Sequence, residues 1–367
     1  MPAFRGRPPY HMSEMIAAEP ALAERLIHRL AKEEAVADVV TAIRAAASAG
    51  QPIVTTGCGT SEHAAMGLAA LLNEALGLPI GRDIRSMQPL ETLARPMTDG
   101  LLIAVSHEGG TLITNEAIRA ARAAGARTAL ITVGGGSPGA ELAELVIRTE
   151  EQDQSWCHTV GYLSPLLVGL VLAARLSRSR IDALAIRALL DVADDPHAAA
   201  SMASSLAGSD RLIVAGAGVD YVSARELALK VAEGARLPSA AHELETLLHG
   251  HLAAATRWTG LVLLLTTPGH QDGPIRDRAA RVLAAARALA VPAAAILSAE
   301  VAGSVPEEET PAGRIILPRK GRVGGSAGSL LGTAIALQLL TERLARARGV
   351  NPDTLGREDP AQAAAHG

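Results

Sequence analysis

The sequence predicts an α/β protein made of two tandem, doubly wound parallel sheets. Short apolar runs alternate with helical patterns, as they do in chains of βαβ units. The strand candidates of the first copy are 52–57, 101–106, 128–133 and 145–149, and a long apolar helix follows at roughly 160–176. The pattern then returns, with strand candidates at 211–216, 261–267, 293–297 and 314–317 and an apolar helix at 327–345. Two copies of one unit is the simplest interpretation.

The predicted boundaries divide the chain into four parts. These are N-terminal helices at 1–50, a first domain at 51–190, a second domain at 191–345 and a C-terminal tail at 346–367, which is predicted to be extended. Within the first domain, helices are predicted at 61–76, 111–124 and 139–144. A partly helical linker is predicted at roughly 177–209, with a break at Asp194-Asp195-Pro196.

Charge, cysteine content and hydropathy exclude several classes of protein. A formal net charge of −4 gives no strong attraction for nucleic acid or for an anionic membrane. Cys58 and Cys157 are the only cysteines and cannot build a disulfide framework, so we expect a cytoplasmic protein. The N-terminal residues lack the apolar core of a signal peptide, and the apolar run from Leu261 is too short to span a membrane.

A glycine-rich turn follows the first predicted strand. Its sequence is Gly57-Cys58-Gly59-Thr60-Ser61, and the glycines allow a tight turn into the next helix. The N–H groups at the start of that helix, together with the Thr60 and Ser61 hydroxyls, could hold an anion or sugar hydroxyls. The alternative is a structural turn with a Ser or Thr cap. Glu62 stands where the dinucleotide pattern GxGxxG needs a glycine, so that pattern is absent.

A second polar turn, Ser106-His107-Glu108-Gly109-Gly110-Thr111, follows a later strand of the first copy. The second copy has Ala215-Gly216-Ala217-Gly218 and Thr266-Thr267-Pro268-Gly269-His270 after its strands. Hydroxyl groups therefore gather in the first copy. We expect one composite site, in which the first copy binds the ligand and the second supplies the chemistry.

The stretch from Glu226 to Gly250 carries the candidate catalytic groups. Glu226, Lys230 and Glu233 have the spacing i, i+4, i+7 and share one face of a predicted helix. His249 follows sixteen residues after Glu233. An imidazole could open a sugar ring, and a carboxylate could move a proton between adjacent carbons. The alternative for the helix residues is an ordinary surface ion pair.

Nearly the whole chain resembles the sugar isomerase (SIS) domain proteins, in particular the isomerase part of glucosamine-6-phosphate synthase. The residues that carry the resemblance are the 57–61 turn, Ser106, Gly109, Thr111, Glu233 and the end of a Glu-Leu-Lys-His-Gly motif at His249-Gly250. The resemblance implies two flavodoxin-like SIS domains and a sugar or sugar-phosphate ligand. It also implies that Glu233 is the enolisation base and that His249 assists ring opening.

The resemblance assigns the ligand contacts as well. They are Gly59, Thr60, Ser61, Ser106, His107, Glu108, Gly109, Thr111, His158 and Thr159. Glu108 replaces a phosphate-binding serine of the family, and a carboxylate beside a phosphate dianion is unfavourable. A positively charged His107 could offset that repulsion. Glu108 could instead accept hydrogen bonds from sugar hydroxyls or from an amine.

Two further segments depart from the family pattern. In the first, Trp156-Cys157-His158-Thr159, only Thr159 keeps the family's residue. Trp156 could stack on a sugar, whereas Cys157 is expected to be a small buried residue. In the second, the tail, the family's substrate-closing lysine falls on or near Pro360, and Arg357 is the nearest cation.

Neither a cofactor nor a metal is predicted. His249 and His251, with His242 nearby, could ligate zinc, but no carboxylate or cysteine cluster completes the set. The simpler interpretation of His251 is packing or surface exposure.

Together these features predict an aldose–ketose isomerase, or a deaminase or deglycase, acting on an amino sugar, its phosphate or a related derivative. The family's glutaminase domain begins with a nucleophilic cysteine, whereas Pro2 follows Met1 here, so we expect no glutaminase activity. The alternative is a non-catalytic SIS regulator, although no basic helix-turn-helix precedes residue 50. We expect a homodimer in which His249 lies near the partner chain's Ser106 turn.

Overall fold

Helices and strands alternate along the computed structural model, which describes residues 5–191, 196–267, 272–319, 321 and 323–365. The elements of the first half are α1 (His11–Leu30), α2 (Glu34–Ala49), β1 (Ile53–Thr56), α3 (Thr60–Leu76), β2 (Arg85–Met87), α4 (Pro89–Ala94), β3 (Leu101–Val105), α5 (Leu112–Ala124), β4 (Arg127–Thr132), α6 (Pro138–Leu142), β5 (Leu145–Arg148) and α7 (Val160–Ser177). Those of the second half are α8 (Ala183–Leu190), α9 (Pro196–Leu206), β6 (Arg211–Gly216), α10 (Val219–Gly234), β7 (Ser239–Glu243), α11 (Leu244–Leu248), β8 (Thr259–Leu265), α12 (Pro274–Ala288), β9 (Ala293–Ser298), β10 (Arg314–Leu317), α13 (Gly325–Ala347) and α14 (Pro360–Ala365).

The chain forms two compact units, and each contains one five-stranded parallel sheet. The first unit comprises Ala21–Gln152 and Val160–Leu184, and the second comprises the residues up to Pro20, Asp153–Thr159 and the residues from Ala185 onward. The strand orders are β2-β1-β3-β4-β5 and β7-β6-β8-β9-β10. Both are the 2-1-3-4-5 order of a flavodoxin-like, doubly wound sheet. The predicted fold class is therefore confirmed.

Two strands lie outside the predicted set, β2 and β7. Each is at one edge of its sheet and pairs with a single neighbour, β1 or β6. Their residues are exposed or half-buried, so they carry no continuous apolar run. Six of the eight predicted strands are central in their sheets, where both faces are covered and the sequence is largely apolar. The other two, β5 and β10, are edge strands that still carry three consecutive apolar residues.

Helix α7 is apolar on all sides because it is a core helix. It packs against α3, and a Cβ at Gly169 would lie 3.0 Å from the side chains of Leu68 and Leu71. Its length and composition alone would also suit a membrane span, yet 67% of the helix is buried inside the molecule. Close helix packing accounts for its hydropathy.

Helix α10 packs equally closely in the second unit, where it contacts α13. A Cβ at Gly234 would lie 2.9 Å from Thr341 and 3.2 Å from the Cys157 sulfur. Only a glycine allows this approach. It brings the end of α10, which carries Glu233, beside the 153–159 segment.

The tail is not extended, contrary to the sequence-based expectation. Helix α13 continues to Ala347, turns follow, and Pro360 opens the short helix α14. The tail is fastened by Asp353, whose carboxylate accepts hydrogen bonds from the N–H groups of His11 and Met12. N–H groups at the start of a helix have no acceptor within it, and a carboxylate satisfies them well. In the linker, α8 and α9 are present, and Asp194 and Asp195 lie outside the described residues.

Candidate functional site

The Gly57–Ser61 turn has a backbone that only glycine permits at two positions. Gly59 has φ 59° and ψ −126°, and a Cβ at Gly57 would lie 2.5 Å from the Ser61 carbonyl oxygen. Thr60 and Ser61 occupy the first turn of α3 and are buried. Their hydroxyls make no hydrogen bond within the described part of the chain. They therefore remain available to a ligand at the start of the helix.

The Ser106–Thr111 turn is built on a rigid scaffold. The His107 carbonyl accepts from the Val133 N–H at 2.9 Å and from the Thr132 hydroxyl at 3.0 Å. Gly109 has φ 67°, and a Cβ there would collide with the Ser137 hydroxyl. The loop after β4 therefore fixes the shape of this turn.

The same turn presents unused hydrogen-bond donors. The N–H groups of Glu108, Gly110 and Thr111 donate to no other described residue. The Ser106 hydroxyl donates to that of Thr111 at 3.4 Å. Several free N–H groups in one turn suit an anion or the oxygens of a sugar.

Glu108, the main departure from the family pattern, is exposed. Its carboxylate accepts a hydrogen bond of 2.9 Å from the Gln152 amide. His107, by contrast, is buried. An exposed carboxylate with a neutral partner repels an incoming anion less than a buried one would, because water screens it.

The two turns of the first unit lie at the carboxyl ends of the strands of its sheet. They follow β1 and β3, which are neighbouring parallel strands. The Cys58 thiol lies 3.7 Å from the Thr114 hydroxyl of α5, the helix that begins after the second turn. Burial raises the pKa of the Cys58 thiol, so it is a poor nucleophile. The structure thus brings together the predicted contacts from Gly59 to Ser61 and from Ser106 to Thr111.

In the second unit, Glu226, Lys230 and Glu233 form an ion cluster on α10. Lys230 and Glu226 are fully buried, and the side chain of Glu233 is 22% exposed. The Lys230 ammonium lies 2.5 Å from Glu233 and 3.8 Å from Glu226. Burial by itself lowers the pKa of Lys230, but the two carboxylates outweigh it and raise that pKa. The surface ion pair considered from the sequence is therefore wrong, and the cluster is internal.

Glu233 lines a pocket of about 500 Å³ in the second unit. The other lining residues come from the end of α10, the following loop and the tail: Ala232, Arg236, Leu237, Pro238, Leu355, Gly356, Asp359 and Gln362. Oε2 of Glu233 accepts from Lys230, whereas Oε1 has no hydrogen bond to any described residue. One carboxylate oxygen is fixed and the other can take a proton, as a general base requires.

Two arginines connect the tail to this region: Arg236, which follows α10, and Arg357, which belongs to the tail. Arg236 donates to the Thr354 hydroxyl at 3.1 Å and forms an ion pair with Glu358. The Arg357 guanidinium lies 3.7 Å from the centre of the Trp156 ring. One face of the Trp156 ring is thus occupied by a cation–π contact, and sugar stacking on this ring stays a prediction.

Among the described residues, His249 forms neither a hydrogen bond nor an ion pair with Glu233. It directly follows α11 as the C-cap of that helix, its side chain is 74% exposed, and its Nε2 lies 3.1 Å from Glu245. His242 and His251 stack with ring centres 3.9 Å apart, and burial, followed by the charge of His251, lowers the pKa of His242. Among the described residues, no group of three or more His, Cys, Asp or Glu side chains could hold a metal ion.

Thr159 is buried within the second unit. Its N–H and hydroxyl donate to Asp153 at 2.9 and 2.8 Å, and its carbonyl accepts from the Gln338 amide at 3.2 Å. His158 beside it is half-buried. Cys157 is fully buried, as expected, and burial raises the pKa of its thiol.

Sequence reasoning missed two features of this region. One is the burial of Lys230, and the other is that Arg236 lines the pocket. One signal for the burial was available: Leu227, Val231 and Gly234 surround Lys230 on the helix, and apolar neighbours on both sides indicate an internal face. Arg236 carried no such signal, since its partners are more than a hundred residues away.

Comparison with known proteins identifies the family. The family model described as the SIS domain matches residues 47–175 and 205–296. Together these segments cover more than half of the chain. This chain belongs to the SIS domain family.

One curated relative is the glutamine–fructose-6-phosphate aminotransferase (isomerizing) of Symbiobacterium thermophilum. It is 30% identical over 288 residues, which is 72% of this chain and 46% of the relative. The chain thus spans about half of that protein's length.

Two solved structures share the fold. The C-terminal domain of glucosamine-fructose-6-phosphate aminotransferase from Francisella tularensis has a TM-score of 0.79 and 19% identity, over 96% of this chain and 99% of that one. The tagatose-6-phosphate ketose/aldose isomerase of Escherichia coli has a TM-score of 0.77 and 18% identity, over 97% of both chains.

Proposed function

We propose that this SIS protein is an isomerase- or deaminase-type enzyme acting on an amino sugar, its phosphate or a related sugar derivative. It opens the sugar ring and then transfers a proton between C1 and C2. The observation that carries the proposal is the Glu233 carboxylate, which lines a pocket and accepts a hydrogen bond from a buried ammonium.

The proposed chemistry needs one base and one ring-opening group. Glu233 takes the proton from one carbon of the open-chain sugar and returns it to the neighbouring carbon, while the hydroxyl proton on the first carbon's oxygen passes through solvent to the former carbonyl oxygen. The electrons remain in the substrate as an enediol or enolamine, so the step requires no redox cofactor. His249 moves the ring-opening proton, and its exposed position on the surface suits a site completed by a partner chain.

The turns of the first unit are the proposed ligand-binding part. The free N–H groups of Glu108 and Gly110 and the hydroxyls of Thr60 and Ser61 suit sugar oxygens or a phosphate. The name of the curated relative, a fructose-6-phosphate aminotransferase, supports a ketose or amino-sugar phosphate as the ligand class. We place this small-molecule enzyme in the cytoplasm, as the two free cysteines suggest.

Deuterium exchange tests the role of Glu233. In Glu233→Gln, solvent-deuterium exchange at the substrate C2 should fall about 10²–10⁴-fold, because the amide keeps the shape and removes the base. Binding of the same sugar should change little. Asp359→Asn is the matched control, since Asp359 lines the same pocket and should leave exchange near the wild-type rate. Undiminished exchange in Glu233→Gln would mean that another residue is the base.

Replacing Glu108 tests whether the ligand carries a phosphate beside this residue. Glu108→Ser should strengthen the binding of sugar phosphates by about 1–3 kcal/mol, because a like charge is removed and a hydroxyl donor is gained. Binding of the corresponding neutral sugar serves as the control. Equal affinities for the phosphosugar before and after the change would mean that Glu108 does not face the phosphate.

A non-catalytic sugar-binding regulator is the second candidate. The feature that favours it is the tail, where Pro360 begins a helix and the family pattern has a lysine. A wild-type protein that is stabilised by sugars but never exchanges the C2 proton would support the regulator.

A further inference from the structure

In each unit a glycine turn follows the first strand, β1 or β6, and these two turns have nearly the same backbone. Gly59 has φ 59° and ψ −126°, and Gly218 has φ 57° and ψ −125°. A Cβ at Gly57 would lie 2.5 Å from the Ser61 carbonyl oxygen, and one at Gly216 would lie 2.6 Å from that of Asp220. Asp220 therefore takes the structural place of Ser61.

Asp220 is not a free equivalent of Ser61, because its carboxylate is already bound. Its oxygens accept hydrogen bonds from the N–H groups of Thr266 and Thr267 at 2.9 and 3.3 Å. They also accept from both threonine hydroxyls, at 2.5 and 3.2 Å. The residue is 1% exposed. These donors follow β8, which pairs with β6 as β3 pairs with β1.

We propose that the Asp220 carboxylate is a built-in anion that fills the glycine turn of the second unit and closes it to phosphate. A carboxylate with two N–H and two hydroxyl donors around it has the environment that proteins give to bound anions. Its place in the first turn of α10 adds a favourable interaction with the helix dipole. Removing the charge and the volume opens an anion site for phosphate or sulfate there.

The central variant is Asp220→Ser, which installs the residue found in the first unit. In a buffer without oxyanions it should unfold at a lower temperature than wild type, because buried donors lose their acceptor. Inorganic phosphate or sulfate at 10-fold its dissociation constant should raise its Tm by about 3 °C more than that of wild type. Sodium chloride at equal ionic strength should not.

Two matched variants separate this effect from general salt stabilisation. Asp220→Asn keeps the volume, so it should lose stability without any rescue by phosphate. Asp153→Ser removes another buried carboxylate that accepts from a threonine N–H and hydroxyl but lies outside any glycine turn. It should also show no rescue.

The outcomes are distinct. Equal phosphate responses of Asp220→Ser, Asp153→Ser and wild type would overturn the proposal. Should Asp220→Ser fail to fold in plain buffer, recovery of its circular dichroism on refolding in phosphate, but not in chloride, supports the proposal, and failure in both overturns it. None of these readouts depends on enzymatic activity, so they stand apart from the proposed function.

Discussion

At the scale of single residues, the second unit is notable for charged side chains buried on α10. Lys230 and Glu226 are both fully buried, and Lys230 connects Glu226 to Glu233, which lines the pocket. Such a cluster is costly to desolvate and is retained only when the charges compensate each other. Its physical role is to hold Glu233 in one position while one of its oxygens stays open.

The cluster should therefore be sensitive to the loss of its cation. Lys230→Met should lower the free energy of unfolding by about 3–5 kcal/mol, because it removes the buried cation that offsets the charges of Glu226 and Glu233. Urea denaturation at pH 7 measures the loss. The double variant Lys230→Met/Glu226→Gln should recover part of it; a double variant as unstable as the sum of its single changes would argue against coupling between the two residues.

A second buried carboxyl, Glu19, should make stability depend on pH. Burial raises the pKa of Glu19 well above 4.5, an effect opposed by its hydrogen bond from Gln338 and reinforced by Asp153. Above pH 4.5 the unfolded chain loses this proton while the folded chain keeps it, so stability decreases as pH rises towards the pKa of the folded state. Below pH 4.5 both states hold the proton and the stabilisation is fully present.

Glu19→Gln should remove that slope, since the amide does not titrate and can still accept from Gln338. Urea denaturation between about pH 4 and 9 compares the slopes of the free energy of unfolding. Glu141→Gln, an exposed position, controls for the loss of one negative charge and should keep the wild-type slope. A Glu19→Gln slope as steep as that of wild type would assign the pH dependence to other groups.

At the scale of elements, the turns after the strands are shaped by their neighbours. The Ser106–Thr111 turn is held by the loop after β4, with Gly109 in the left-handed region and pressed against Ser137. At Gly110, next to it, an added Cβ would meet no described atom within 4 Å. The fold therefore requires a glycine at position 109, whereas position 110 has room for a side chain.

This difference predicts contrasting alanine variants. Gly109→Ala should lower the free energy of unfolding by about 1–3 kcal/mol and weaken ligand binding, because of backbone strain and the collision with Ser137. Gly110→Ala, the matched neighbour, should be close to wild type in stability. Thermal unfolding and sugar binding measured on both variants test the prediction, which fails if the two alanines behave alike.

At the scale of the whole molecule, assembly into a homodimer remains a prediction. His249 and Glu233 make no described hydrogen bond or ion pair with each other, and His249 is exposed. If each site takes Glu233 from one chain and His249 from another, two inactive variants can complement each other.

Mixing tests this arrangement directly. Glu233→Gln and His249→Asn should each be impaired, and an equal mixture refolded together should regain about a quarter of wild-type activity, since half of the dimers are mixed and each has one intact site. Light scattering checks the dimer at micromolar concentration. Additive activities in the mixture, or a monomer that remains active, would exclude a shared site.

The sequence by itself determined the two-copy architecture, the central strands and the turns after them. These features are local, because an apolar run, a helical period or a glycine turn depends only on residues close together in the sequence. The family was recognised from the same local patterns, and the role of Glu233 as the base, which the family resemblance implies, stays a prediction. The edge strands β2 and β7 were missed because, unlike the edge strands β5 and β10, they contain no run of large apolar residues.

Only the tertiary structure decided which charged and aromatic groups are buried or already partnered. Lys230 is internal, Arg357 lies over one face of Trp156, the tail turns back to the start of α1, and Asp220 is bound by the threonines after β8. Each of these depends on contacts between residues far apart in the chain. Burial and pairing arise when such segments pack, and the spacing of residues along one segment does not encode them.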